Sequence, residues 1–258
     1  VDDQDADTDP WSAMADEWHR RWGRFAEPAW TVVLDAVAVR PGQRALDVGC
    51  GPGDLLAHLA GLGVRVAGID PARGMIAVAR ALAPAADVRH GEAADLPWDD
   101  DSFDLAIAIN ALHLADEAAP ALAEMSRVVV PGGHVAIVTW AEARHNDVDV
   151  IARAVAADDG DEPEADGDER EDVADALDRL LAEAGLAAVS SGLVEAPWEA
   201  ADDDALVRGV LLGEDPGTLA ERSPVVVTAA APFRLDDGSY RLRNHLRYAI
   251  GCVGVRSR

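Results

Sequence analysis

The chain contains no lysine. All 22 basic side chains in its 258 residues are arginine, set against 48 carboxylates, for a formal net charge of -26. A field of that sign repels phosphate backbones and anionic lipid surfaces, so neither nucleic acid nor a membrane is an expected partner. Without lysine there is also no Gly-Lys-Ser/Thr ending for a phosphate-cradling P-loop. Cysteine is nearly absent. Cys50 and Cys252 are too few for a disulfide framework or a thiolate metal cluster, and the acidic runs lack calcium-loop spacing, so no metal is expected. No apolar stretch approaches the ~18 residues that span a bilayer, and the first residues lack a basic-then-apolar leader. The expectation from these absences is a soluble, cytoplasmic protein. Hydrophobic residues make up 49% of the chain, which is ample for the core of one domain.

What organises the chain is the stretch RALDVGCGPG, residues 44–53. Ala45, Leu46 and Val48 read as a buried strand. Gly49, Gly51 and Gly53 then alternate with Cys50 and Pro52, and Leu55, Leu56 and Leu59 follow at helical spacing. A strand that breaks into glycines and restarts as a helix leaves bare backbone and unpaired N–H groups at the carboxyl edge of a sheet, where a ligand approaches closely. The spacing is D-x-G-x-G-x-G rather than the dinucleotide fingerprint G-x-G-x-x-G. An acidic residue at the strand end, Asp47, suits an amino-bearing cationic ligand better than a phosphate.

Similar punctuation recurs downstream. A second strand, VRVAGID at 64–70, ends in Asp70, a position from which a carboxylate accepts from ribose hydroxyls; Pro71 is expected to open the next helix, with Met75 one turn in. A third strand at 86–90 leads into GEAADLPW. LAIAIN, residues 105–110, reads as a central strand apolar on both faces. A helix over about 117–129 and Pro131-Gly132-Gly133 lead to a fifth strand at 134–140. Over residues 41–140 this pattern resembles the class I S-adenosylmethionine-dependent methyltransferases of the ubiquinone/menaquinone-biosynthesis type (methyltransferase type 11). The string EMSRVVVPGGHVAIV matches their helix–PGG–strand unit closely.

The resemblance implies an α/β fold: a Rossmann-like, doubly wound, seven-stranded and mostly parallel sheet with an antiparallel last strand, placed at 245–253. It implies S-adenosylmethionine as cofactor, with S-adenosylhomocysteine as product. Asp47, Gly49, Cys50 and Gly51 would face its methionine end, Asp70 its ribose, and Pro71, Met75, Glu92 and Ala93 its adenine. Asn110 would offer its backbone carbonyl to the amino group. The family more often carries Asp where Glu92 stands.

One domain is expected over 1–258. Residues 1–10 are acidic and polar. The periodic tryptophans of 11–38 read as a helix pair, either packed on the sheet or serving as a lid, with Trp11, Trp18 and His19 toward the acceptor. Residues 158–172 are a low-complexity acidic run that reads as a solvated loop. A helix at 173–184 and a sixth strand at 187–196 follow, then a largely helical cap within 197–240, in which VVVTAAA (225–231) has strand propensity. Asp237-Gly238 signals a turn.

Methyl transfer from a sulfonium needs near-attack geometry and exclusion of water, helped by a general base when the acceptor must lose a proton. His113, just past the fourth strand, is the first base candidate and equally a pocket-shaping residue; His19 and His245 are weaker ones. Tyr240 is a candidate acceptor contact, and Arg243, Asn244 and Tyr248 share its hairpin. The expected partner is a small-molecule acceptor, the assembly a monomer or homodimer. The alternative is a cofactor-binding protein of the same fold with another reaction or a regulatory role.

Overall fold

The computed structural model describes residues 9–112, 118–160 and 172–254. Seven strands form one sheet in the order β3-β2-β1-β4-β5-β9-β6. They are β1 (Arg44–Val48), β2 (Arg65–Asp70), β3 (Asp87–His90), β4 (Phe103–Ile109), β5 (Val129–Trp140), β6 (Ala187–Glu195) and β9 (His245–Cys252). The first five run parallel, and β9 pairs antiparallel with both β5 and β6. The chain order turns back between β1 and β4, so the carboxyl ends of those two strands open the crevice that doubly wound sheets use for ligands.

Alternation along each strand divides the core. Ala45, Leu105, Ile107, Ala136 and Val138 face one layer with α2 (Glu27–Ala36), α3 (Asp54–Gly61), Ile76 of α4 (Arg73–Leu82) and Ile151 of α6 (Asp147–Asp158). Leu46, Val48, Ala106, Ala108, Val135 and Ile137 face the other, against α5 (Ala118–Val128) and Leu177 and Leu181 of α7 (Val173–Glu183). Successive strand side chains point to opposite faces, so the central run 105–109, covered on both sides, is apolar at every position.

The amino-terminal pair is α1 (Pro10–Trp22), capped by Asp9, and α2. The cap between β6 and β9 holds α8 (Asp203–Val210), α9 (Pro216–Ala230) and a two-stranded ribbon, β7 (Trp198–Ala200) with β8 (Tyr240–Leu242).

Residues 225–230 are helical, as expected of a largely helical cap, and lie inside α9 with Val226 and Ala230 buried. Three details differ from the sequence reading. The ribbon was not anticipated: strands of three residues lying forty apart carry no readable period. The PGG segment lies within β5, as an irregularity between the Phe103–Val129 and Leu105–His134 pairings, so that strand begins at Val129. Pro71 does not open α4; Ala72 is its N-cap and the helix starts at Arg73. Most of the acidic run 158–172, and residues 1–8 and His113, lie outside the described residues. No helix among those described is long and apolar enough to cross a membrane.

Candidate functional site

The glycine loop has the backbone its residues require. Gly49, Gly51 and Gly53 all have positive φ (70°, 50° and 90°), the left-handed region that Cβ-bearing residues avoid. Each is bare for a different reason. A Cβ on Gly49 would overlap that of Ala111, and one on Gly53 would lie 2.9 Å from the Ala79 backbone. A Cβ on Gly51 meets nothing within 4 Å, because this glycine borders open space. Gly49→Ala is therefore expected to destabilise the protein by about 2 kcal/mol or more, read as a lowered midpoint in chemical denaturation; an unchanged midpoint would contradict the packing described.

Asp70 fastens this loop. Its Oδ2 accepts from the Gly51 N–H at 2.8 Å and its Oδ1 from the Ala72 N–H at 2.9 Å. Burial raises its pKa above the ordinary carboxylate value, with the charges of Asp9 and Glu92 adding to the rise and the two backbone donors opposing it. Each oxygen keeps a second acceptor direction, so the carboxylate can hold the loop and still receive hydroxyl donors. Asp47, at the end of β1, is 3% exposed. Burial, with the charges of Asp70 and Asp54, pushes its pKa up to about 8, so the fold favours the protonated form of this carboxyl.

Against the loop lies a cavity of about 390 Å³, within the ~300–1,000 Å³ common for small-molecule sites. Its lining includes the carboxylates Asp9, Asp47, Asp54 and Asp70 and the aromatic side chains Trp11, Trp18, Trp22, Phe25 and Trp30. Gly49, Cys50, Gly51, Pro71, Met75 and Asn110 also line it, and no arginine or histidine does among the described residues. Asn110 ends β4 at φ 50°, and its Oδ1 is buried without a partner. Cys50 is buried, and burial beside Asp47 and Asp70 raises its thiol pKa well above the usual value, so it is not a thiolate here.

The wall is fixed by α1. Ser12 Oγ accepts from the Gly74 N–H at 2.8 Å, at a glycine where any Cβ would strike the Ser12 backbone. His19 Nδ1 lies 3.0 Å from Asp54 Oδ2. Trp22 Nε1 donates to the Gly209 carbonyl at 3.0 Å, and Trp198 Nε1 to the Arg21 carbonyl at 2.9 Å. The rings form a continuous cluster in which Trp22 stacks on Trp198 at 4.7 Å and Phe25 on Trp140 at 4.7 Å.

Of the residues singled out in the sequence, Asp47, Gly49, Cys50, Gly51, Asp70, Pro71, Met75, Asn110, Trp11 and Trp18 converge on this cavity. Glu92 and Ala93 are not in its lining, and Glu92 is exposed. His19 lines a neighbouring cleft instead. Tyr240 is 1% exposed beneath the cap, donating to Asp203 Oδ1 at 2.7 Å, away from the cavity. His245, Asn244, Arg243 and Tyr248 are engaged with His145, Val148, Asp147 and Ser190 respectively. Sequence reasoning missed Asp9, Asp54, Trp22, Phe25 and Trp30 as cavity residues. The position of Asp54 directly after the last glycine was a usable signal; the aromatic residues were not separable from a core-facing helix stripe. Among the described residues no group of three His, Cys, Asp or Glu side chains could hold a metal ion.

A Rossmann-like sheet with a glycine loop at its switch point and an acidic, aromatic cavity above it defines a protein of the adenosyl-cofactor methyltransferase fold. Residues 46–137 match the methyltransferase domain family, a match that supports the resemblance to class I S-adenosylmethionine-dependent methyltransferases of the ubiquinone/menaquinone type. It is 39% identical over 118 residues to the demethylmenaquinone methyltransferase of Renibacterium salmoninarum, covering 46% of this chain and 47% of the relative. It is 38% identical over 128 residues to the 2-phytyl-1,4-naphtoquinone methyltransferase of Synechococcus elongatus, covering 46% and 52%. The chain thus spans about half the length of the curated relatives it matches. A solved structure concerned with conversion of a disulfide bond into a thioacetal group during echinomycin biosynthesis superposes with a TM-score of 0.61 at 24% identity. That match covers 89% of this chain and 82% of the other, and shows the fold.

Proposed function

We propose that this protein transfers a methyl group from S-adenosylmethionine to a small-molecule acceptor. The observation that carries the reading is a cavity lined by four carboxylates and four tryptophans, with no basic side chain among its described lining residues. That environment suits a ligand with an ammonium and a sulfonium, since aromatic faces attract cations and carboxylates pair with them. The fit extends to the loop. Gly51 borders open space and Asp70 retains free acceptor directions, as close approach of a ribose requires. When bound, the cofactor supplies a methyl group activated by positive sulfur.

The chain's own residues then bind, orient and exclude water. Asp47, its proton released to solvent, accepts from the ammonium as a carboxylate, and the Asn110 carbonyl faces the same group. Gly49, Cys50 and Gly51 offer bare loop backbone beside the methionine end. Asp70 accepts from ribose hydroxyls, and Pro71 and Met75 pack on the adenine. Trp11 and Trp18 close the cavity from α1, and dry, oriented contact between methyl and acceptor supplies much of the rate. The amino-terminal helices and the cap at 197–240 build the acceptor side. The names of the relatives point to a quinone-type or similar flat acceptor; for a hydroxyl acceptor, His113 is the proposed base.

Asp70→Ala is the direct test of the binding scheme. Calorimetry should show S-adenosylhomocysteine binding weakened at least about tenfold, because the variant loses both the hydroxyl acceptor and the tie to Gly51. Equal affinity in a folded variant would remove Asp70 from the site. Formation of S-adenosylhomocysteine with an acceptor panel separates methyl transfer from the alternative of cofactor binding with another outcome.

A further inference from the structure

Gly23 follows α1 with φ -53° and ψ -35°, helical values that alanine adopts more readily than glycine. Its lack of a side chain answers to what packs on it. A Cβ there would strike the Asp54 carboxylate and the His19 carbonyl. One turn earlier on α1, His19 Nδ1 lies 3.0 Å from Oδ2 of the same Asp54. The end of α1 is thus shaped to seat one carboxylate against one imidazole. Asp54 is the first residue of α3, where the positive end of the helix favours its charge.

The pair stands where two cavities meet. A second cavity, of about 430 Å³, adjoins the first; Gly23, Phe25 and Asp54 line both, and His19 lines the second. The arginines at the end of α1 are matched by carboxylates, Arg20 and Arg21 by Glu17 and Arg24 by both oxygens of Glu27. His19 differs from them in having a ring nitrogen to spare: Nδ1 is engaged, and Nε2 bonds no described residue. A tie between α1 and α3 needs one donor, which arginine supplies in most of the described ion pairs. An imidazole adds a second nitrogen that can take a proton. A carboxylate on Nδ1–H makes Nε2 the basic position and stabilises the imidazolium that forms.

We infer that His19 is the general base for a hydroxyl-bearing acceptor, and that Asp54 holds it in the active tautomer. The acceptor's O–H bond breaks, its proton passing to Nε2. The oxygen's freed electron pair forms the bond to the methyl carbon, and the pair of the broken carbon–sulfur bond stays on sulfur. The partly exposed imidazolium then gives its proton to solvent. The assignment rests on the methyltransferase reading and displaces His113, which holds the role above by chain position alone.

The protein is first saturated with S-adenosylhomocysteine, with the binding measured by calorimetry. A folded protein that does not bind it would overturn the methyltransferase reading and this assignment with it. The loaded protein is then titrated with 4-nitrophenol, whose phenolate absorbs in the visible, at a pH where the free phenol is mostly neutral. The bound probe is expected to show an ionised-to-neutral ratio about tenfold that of the free one. His19→Asn is the decisive variant, because its amide Nδ2 can still donate to Asp54 while nothing remains in place of Nε2. It should keep S-adenosylhomocysteine affinity, which shows that it is folded, and lose the tenfold excess. With S-adenosylhomocysteine bound, failure in the phenol arm counts against His19 alone. No excess of phenolate on the loaded wild-type protein would overturn the assignment. So would an excess that survives His19→Asn, the result expected if His113 were the base.

Discussion

Asp47→Asn is expected to abolish most cofactor affinity while making the protein itself more stable above neutral pH. The two effects have one origin. Asp47 is buried at the end of β1 beside Asp70 and Asp54, and its pKa is raised to about 8 from an ordinary value of 3.8. Between about pH 4 and pH 8 the folded protein therefore favours a proton that the unfolded chain releases. The stability tied to this group is complete below the unfolded value and is lost as pH climbs from about 4 to about 8, by at most about 1.4 kcal/mol per pH unit. Asparagine carries no such proton. The stability difference between Asp47→Asn and wild type should thus move in the variant's favour between about pH 5 and pH 8, as read by denaturant melts in matched buffers. An incoming ammonium reverses the preference in wild type: it favours the carboxylate, whose proton leaves to solvent, and pairs with it. The variant cannot make that pair and should bind S-adenosylmethionine about a hundredfold more weakly. A pH-independent stability difference would show that Asp47 is already ionised in the folded protein.

Trp22→Ala should be the most damaging single truncation on the acceptor side. Trp22 is the hub of the aromatic cluster: it stacks on Trp198, meets Phe25 edge-on at 5.1 Å and Trp140 at 6.1 Å, and donates to the Gly209 carbonyl. It joins α1 to α8 and β7, so its loss opens a void at the junction of lid, cap and sheet. Removing a buried tryptophan costs about 3–5 kcal/mol, out of a total that for ordinary proteins is about 5–15 kcal/mol. The expected result is a large fall in the denaturation midpoint together with weakened S-adenosylhomocysteine binding. Trp22→Phe, which keeps ring contact but not the N–H, should recover part of the stability. A loss below about 1 kcal/mol would mean that α1 is not anchored through this residue.

The core of the fold was legible because its signals are local and repeated. RALDVGCGPG announces strand and turn within ten residues, and the antiparallel last strand expected at 245–253 from the resemblance is β9 (His245–Cys252). That Asp47, the glycines and Asp70 would meet at one place was legible for the same reason, since all lie at strand ends. The acceptor side was not. Whether Trp22 and Phe25 face a core or a cavity depends on where the cap settles, and nothing within α1 encodes that. Tyr240 shows the same limit from the other direction: a polar aromatic residue beside a turn reads as a pocket candidate, yet the ribbon it forms with Trp198–Ala200 carries it under the cap to Asp203. Pro71 failed more simply. A proline after a strand-ending aspartate permits a helix start at once, but here Asp70 uses the Ala72 N–H and delays the helix to Arg73.

The central claim is that the acidic, tryptophan-walled cavity is built for S-adenosylmethionine. Its most direct test is calorimetric titration of the wild-type protein at pH 7 with S-adenosylmethionine, S-adenosylhomocysteine and a nicotinamide dinucleotide in parallel. Both adenosyl ligands are predicted to bind with micromolar affinity and unit stoichiometry, and the dinucleotide to leave no measurable heat. A folded protein that binds neither adenosyl compound, or that prefers the dinucleotide, would contradict the account at its root.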